Sequence, residues 1–218
     1  MPFLLQNKEK LIIDLALGDG YLSRPRTDKS NSRLVLKHSS KQTDYLLYKK
    51  DLLEKNGFKC SIDSYTDQKG YNVVQVRTMS NIIVKNVYNK LYPNNKKTIT
   101  KEILKNFDAH SLAILFQDDG SREHTKFHRY NGNKYAVKPY INAFTLYLNC
   151  FSEEENNLFI SKLLEMGIEA RITQRKGYST IIISKVKAKE KFVELVKPLL
   201  HVSMLYKIDA PVKYHGDL

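Results

Sequence analysis

Residues Ser111 to Gly120 read Ser-Leu-Ala-Ile-Leu-Phe-Gln-Asp-Asp-Gly. Ser111 offers a helix N-cap, the run from Leu112 to Phe116 offers an apolar body, and Asp118, Asp119 and Gly120 form an acidic stop. Residues Leu11 to Gly20 read Leu-Ile-Ile-Asp-Leu-Ala-Leu-Gly-Asp-Gly, so the two Asp-Gly steps stand 100 residues apart. Each stretch predicts a buried helix closed by Asp and Gly, the first over residues 8–19. The C-terminal end of a helix carries partial negative charge, so a carboxylate there is disfavoured by about 0.3–1 kcal/mol. One Asp-Gly step is an ordinary turn dipeptide. Two of them, closing apolar helices in matched contexts, point to a cation held between Asp19 and Asp119, and a divalent metal suits a pair of carboxylates.

Working outward, the same plan follows each stretch. After Gly20 comes a basic segment with Arg24, Arg26, Lys29 and Arg33, expected as a loop or the ragged start of a hairpin. A strand is predicted over Leu34 to His38. A helix is predicted from Gln42 to Asn56, with Tyr45, Leu46, Tyr48, Leu52 and Leu53 inward and Gly57 as its stop. Strands over Phe58 to Thr66 and Tyr71 to Thr78 flank a turn at Gly70, and a helix opens at Ser80 and ends near Pro93. After Gly120, Arg122, Lys126, His128 and Arg129 predict a second basic loop, followed by a strand from Ala143 to Leu148. Ser152 and Glu155 form a capping box for a helix ending near Met166. Strands over Ile168 to Gln174 and Tyr178 to Ser184 and a helix from Lys187 to Val196 complete the plan. Gly20, Gly57 and Gly70 match Gly120, Gly167 and Gly177, so six of the nine glycines fall in pairs. The chain therefore reads as an α+β protein of two αββαββα repeats, residues 1-98 and 99-218, each with an antiparallel sheet. A repeat this long, present twice, suggests a fused pseudo-dimer acting as a monomer.

The totals narrow the function. The 218 residues carry 36 Lys and Arg against 23 Asp and Glu, a net charge of +13. This suits a polyanion, nucleic acid before membrane. No apolar run approaches the ~18 residues of a membrane span, and Met1 to Asn7 is too short for a secretion signal. Cys60 and Cys150 give neither a disulfide framework nor zinc spacing, as expected of a reducing compartment. His124 and His128 have i, i+4 spacing but no companion ligand.

The chain resembles the single-chain LAGLIDADG homing endonucleases with two motifs. The resemblance rests on Leu112 to Gly120, on Asn94-Asn95-Lys96-Lys97-Thr98-Ile99, and on Lys197-Pro198 with Met204, Tyr206 and Lys207. The first motif is looser, with Asp14 where the family often has a small residue. The resemblance implies a saddle of two sheets over the DNA major groove, with the motif helices packed at a pseudo-twofold axis. It implies Mg2+, with Mn2+ as a substitute, bound by Asp19 and Asp119, and places Gly18 and Asp118 beside them in the metal set. Lys97 and Lys207 match the basic residues of the two active centres. The implied reaction is site-specific double-strand cleavage of a long asymmetric DNA target, leaving short 3′ overhangs, by an intron- or intein-encoded enzyme in a bacterial or phage cytoplasm or an organellar matrix. The rivals are an intron-RNA-binding maturase and a non-cleaving DNA-binding regulator on the same scaffold, and the retained acids favour cleavage.

Asp118 points about 100° away from Asp119 around a helix and reads as auxiliary or surface. Asp14 is about 140° from Asp19 and reads as a polar contact between the motif helices. Alternation puts Arg33, Val35 and Lys37 on one strand face, as it does Val73, Gln75 and Arg77, and Arg171, Thr173 and Arg175. Arg and Gln suit bidentate contacts with guanine and adenine. The expected DNA contacts are therefore Arg24, Arg26, Arg33, Lys37, Gln75, Arg77, Arg122, Arg171, Thr173 and Arg175.

Overall fold

The structure, a computed structural model, describes residues 7–27, 29–130, 133–175 and 177–209; of 124–130, 133–140 and 175 only the backbone is described. The first half runs α1 (Lys8–Leu17), β1 (Tyr21–Leu22), β2 (Leu34–Ser39), α2 (Thr43–Lys55), β3 (Cys60–Thr66), β4 (Asn72–Thr78) and α3 (Ile82–Leu91). A short α4 (Lys101–Leu104) leads into the second half: α5 (Ala109–Asp119), β5 (Gly120–Tyr130), β6 (Asn133–Leu146), α6 (Glu153–Glu165), β7 (Arg171–Arg175), β8 (Tyr178–Ile183) and α7 (Val186–Val196), with α8 (Tyr206–Asp209) after it. The two antiparallel sheets have the orders β1-β2-β4-β3 and β5-β6-β8-β7, the same topology twice.

Local chemistry accounts for the breaks. Gly57, Gly70, Gly167 and Gly177 all have φ near +80°, the left-handed region that a side chain disfavours. Ser152 and Glu155 make the expected reciprocal cap on α6. Three expectations are corrected. Ser111 is not the N-cap of α5; Asp108 is, and Ser111 completes its capping box from the third helical position. The N-cap of α3 is Asn81, whose side chain accepts from the Ile83 amide, and not Ser80. The segment from Arg122 to Arg129 is not a loop but part of β5, one arm of a long hairpin with β6. That strand setting removes the helical i, i+4 geometry of His124 and His128, whose side chains lie outside the described residues.

Helices α1 and α5 are enclosed on nearly every side, as helices apolar all round must be. They run side by side in the same sense. Near their starts Lys10 Nζ bonds Ser111 Oγ at 2.8 Å, and near their ends the Asp19 amide, just beyond α1, bonds Oδ2 of Asp118 in the last turn of α5 at 3.1 Å. Inward residues of both sheets, among them Leu36, Val76, Phe144 and Ile183, join these helices in one continuous core. No helix among the described residues is long and apolar enough to cross a membrane.

Candidate active site

The site is built where α1 and α5 end. Asp119 is the last residue of α5, whereas α1 stops at Leu17 and Asp19 sits in the turn beyond it, a correction to the expected helix over 8–19. Glycine is required after each Asp. A Cβ on Gly20 would stand 2.3 Å from the Leu15 carbonyl oxygen, and one on Gly120 would stand 2.1 Å from the Phe116 ring. Gly18 is required for a different reason: a Cβ there would lie 2.3 Å from Asp118 Oδ2. The helix ends thus meet with a bare backbone against a carboxylate.

Two lysines close the helix ends from matched positions. Lys97 Nζ donates to the carbonyls of Gly18 (3.2 Å) and Gly20 (3.3 Å). Lys207 Nζ donates to those of Gln117 (2.6 Å), Asp118 (3.3 Å) and Gly120 (2.9 Å). A cation at a helix C-terminus offsets the partial negative charge there. Part of the positive charge that the sequence called for is therefore supplied by the protein itself.

That compensation is incomplete for the acids. Burial, then the Asp118 carboxylate, raises Asp19 above its ordinary value. Burial, then the carboxylates of Asp19 and Asp118, pushes Asp119 up to about 7. Burial lowers both Lys97 and Lys207 from the ordinary lysine value against the pull of these acids. Half-buried carboxylates that repel one another form a donor set that fits a divalent cation.

Asp118 was expected as auxiliary or surface. Its side chain is instead fully buried, with Oδ1 2.5 Å from Nζ of the equally buried Lys49 and Oδ2 on the Asp19 amide. Lys49 also lies 3.1 Å from His38 Nε2. Asp19, His38 and Asp118 offer ligand atoms within 4.8 Å of one another, but the Lys49 ammonium already pairs with two of the three. The carbonyl of Gly18, the other auxiliary candidate, is taken by Lys97. Lys49 and His38 are not among the expected site residues. The signal was present: Lys49 falls on the inward stripe of α2 with Tyr45, Leu46, Leu52 and Leu53, and His38 alternates inward with Leu34 and Leu36. Tyr48, expected inward, is only half-buried.

Asp14, expected as a polar contact between the motif helices, makes its ion pair within α1, and the partner Lys10 carries the link to α5. Asp14 pairs with Lys10 at 2.7 Å, and Lys10 reaches Asp108 of the α5 cap at 3.1 Å.

The strand residues sort by alternation. In the first sheet Val74, Val76, Leu34 and Leu36 point inward, which leaves Val35, Lys37, Gln75 and Arg77 on the outer face, in register across β2 and β4. Gln75 is largely covered by its neighbours, whereas Lys37 is exposed and the half-exposed Arg77 pairs with Asp63 of β3. Arg33, one residue before β2, bonds Ser80 Oγ at 3.1 Å. Arg24 and Arg26 lie beyond β1 and line a groove with Lys85 and Tyr88 of α3. In the second sheet Arg171 and Thr173 lie on the outer face with Ile182 and Thr180, and the side chain of Arg175 lies outside the described residues. Arg122 is a correction. It pairs across the hairpin with the inward Phe144, so it points to the helix side and donates to the Ile208 carbonyl at 3.1 Å.

Residues 10–192 match the model of the LAGLIDADG DNA endonuclease family. The chain belongs to that family. Its α1 and α5 are the two LAGLIDADG helices. Curated relatives include RecA proteins of Mycolicibacterium flavescens, 27% identical over 95% of this chain and 48% of the relative, and of Mycobacterium gastri, 25% identical over 99% and 50%. The chain spans about half the length of the curated relatives it matches. Among solved structures, the homing endonuclease I-WcaI bound to its DNA recognition sequence superposes with a TM-score of 0.74 at 21% identity, covering 94% of this chain and 87% of that one. I-DmoI in complex with DNA and Mn gives 0.52 at 14% identity, covering 88% and 97%. At these identities the likeness is one of fold.

Proposed function

We propose that this chain is a site-specific endonuclease that cuts both strands of a long, asymmetric duplex DNA target and leaves short 3′ overhangs. The observation that carries the reading is the paired Asp19 and Asp119 with their matched lysines, set between two like sheets. Residues 1-98 and 99-218 act as the two half-site repeats of one monomer. Asp19 and Asp119 are the ligands for Mg2+, with Mn2+ as a substitute. When bound, such an ion neutralises charge on the phosphate oxygens and lowers the pKa of the attacking water. The chain's own residues do the rest. Lys97 and Lys207 hold the helix-end carbonyls, keep the two Asp side chains in place and present positive charge to the phosphates. Lys37, Arg77, Arg171 and Thr173 on the outer sheet faces contact the duplex, with the +13 net charge behind them. Relatives that carry the name of another protein, matched over about half their length, favour an element housed within a host protein, as an intein is.

The test is cleavage of a plasmid carrying the uninterrupted host allele, with magnesium and with EDTA. Double-strand cleavage in magnesium alone is expected. Tight binding of the allele without cleavage would favour the non-cleaving regulator. Preference for intron RNA over the duplex would favour the maturase.

A further inference from the structure

The two halves repeat in fold but not in one buried cluster. Gly18 of the first motif stands where the second has Asp118. Lys49 is the seventh of the 13 residues of α2, and Phe159 is the seventh of the 13 of α6. His38 and Leu148 stand equally far ahead of those helices. One side of the seam thus encloses the Asp118 carboxylate of the second motif with the Lys49 ammonium and His38 imidazole of the first half, where the matched positions are Gly18 of the first motif with Phe159 and Leu148 of the second half.

The contacts in the cluster have a direction. Lys49 donates to Asp118 Oδ1 at 2.5 Å and to His38 Nε2 at 3.1 Å, and lies over the Tyr45 ring at 4.4 Å. An ammonium donating to Nε2 leaves the ring hydrogen on Nδ1. Nδ1 then donates to Gln42 Oε1 at 3.1 Å and stands 3.6 Å from Asp19 Oδ2. The other Asp118 oxygen accepts the Asp19 amide at 3.1 Å. Asp19 is therefore held at its backbone by Asp118 and faced at its carboxylate by His38, with Lys49 joining the two. No such set of side chains surrounds Asp119 among the described residues: Lys207 holds its helix end, just as Lys97 holds that of Asp19, and the Tyr147 amide donates to the Asp119 carbonyl at 2.8 Å.

We propose that Lys49, His38 and Asp118 are positioning residues for Asp19, and that this one-sided brace makes the two strand cuts unequal. The proposal rests on the endonuclease reading. A buried ion pair contributes little net stability and is costly to half-remove, so its value here lies in geometry. A reacting centre whose ligand is held in place loses less to reorganisation than one that is free.

The experiment uses the target duplex labelled on each strand in turn, with the full chain and magnesium. Lys49→Met with Asp118→Asn removes both charges together, so no lone ion is left buried. The double variant is expected to slow one cut by about 10- to 100-fold, the cost of a loosened reacting geometry. The other cut changes less than about threefold, and nicked product accumulates. Hydrogen exchange at the Asp19 amide, read without metal or DNA, is expected to quicken while that of Asp119 does not. If the double variant does not fold, His38→Leu, which gives the first half the residue of the second, carries the same expectation. Equal slowing of both strands, or unchanged exchange at Asp19, would overturn the brace and leave the endonuclease reading intact. A wild-type chain that cuts neither strand would overturn both.

Discussion

Lys207 donates to the Gly120 carbonyl at 2.9 Å, and across the pseudo-twofold axis Lys97 makes the equivalent bond to Gly20 at 3.3 Å. Each lysine comes from outside its LAGLIDADG helix, from a segment remote in sequence, and ends on the carbonyls around an acid. Each ammonium caps its helix end, and in the proposed reaction the same charge stands beside the scissile phosphate. Lys97→Met and Lys207→Met are expected to lower stability by about 0.5–2 kcal/mol each, through loss of the cap. Cleavage is expected to fall far more, by at least about 100-fold, while target affinity measured in Ca2+ stays within about threefold. A variant that melts normally and cuts at the wild-type rate would remove that lysine from the active centre.

Asp14 sets a pH dependence of stability. Its burial between the helices outweighs the Lys10 ion pair and pushes its pKa up to about 6, from 3.8. The folded chain therefore holds a proton that the unfolded chain has released between about pH 4 and 6. Stability from this group falls as pH rises through that window and levels off above it. Over the whole shift from 3.8 to about 6 the loss amounts to about 3 kcal/mol. Denaturant titrations of wild type and Asp14→Asn at pH 4 and pH 7 should differ by that slope, with the wild type steeper. Parallel curves would show that Asp14 titrates alike in the folded and unfolded chain.

Much of this architecture could be read from punctuation. Gly57 and Gly167, like Gly70 and Gly177, adopt the same positive φ in the two halves, so their spacing marked the repeat before any strand was assigned. The apolar runs before Asp19 and Asp119 marked helices buried all round. What escaped had no apolar alternation to reveal it. The residues from Ser121 to Lys126 are polar on both faces and read as a loop, yet they form a strand because the hairpin partner supplies the hydrogen bonds. Lys49 escaped for the opposite reason: a lysine on an apolar stripe reads as an edge residue until its buried partner, 69 residues away, is known. The helical stripe marks the position as inward, but nothing in the sequence names the charge that it meets.

The outer face of the first sheet predicts a split between base and scaffold residues. Lys37 is exposed and flanked by the rings of Tyr21 and Tyr65, at 5.7 and 5.9 Å, and Arg77 shares its face. Arg77→Ala is expected to cost about 1–3 kcal/mol at particular base positions and little elsewhere. Arg122→Ala is expected to leave target affinity and its salt slope unchanged and to lower the melting temperature, because its bond runs to the Ile208 carbonyl. Binding to a panel of single-base target variants at two salt concentrations separates these outcomes. A uniform loss for Arg77→Ala would assign it to phosphates.

The crossing of the LAGLIDADG helices predicts a compensating pair. Gly18 faces Asp118 so closely that a Cβ would lie 2.3 Å from Oδ2 and 2.7 Å from the Asp118 Cβ. Moving one flexible oxygen is therefore not enough, and the helix backbones must part. Gly18→Ala is expected to destabilise the chain by about 1–3 kcal/mol, as overpacking of a tight core does. The cost should shrink in a background where the opposing side chain is gone and its former partner is neutral, namely Asp118→Gly with Lys49→Met. There the added methyl group enters the space left by the carboxylate. A double-mutant cycle between Gly18→Ala and that background should give a coupling of at least about 1 kcal/mol, well above the ~0.3–0.5 kcal/mol expected of independent sites. Chemical denaturation of the four proteins supplies the cycle. Additive costs would mean that the helices do not meet at Gly18 and Asp118, and with that contact would go the hold of Asp118 on the Asp19 amide.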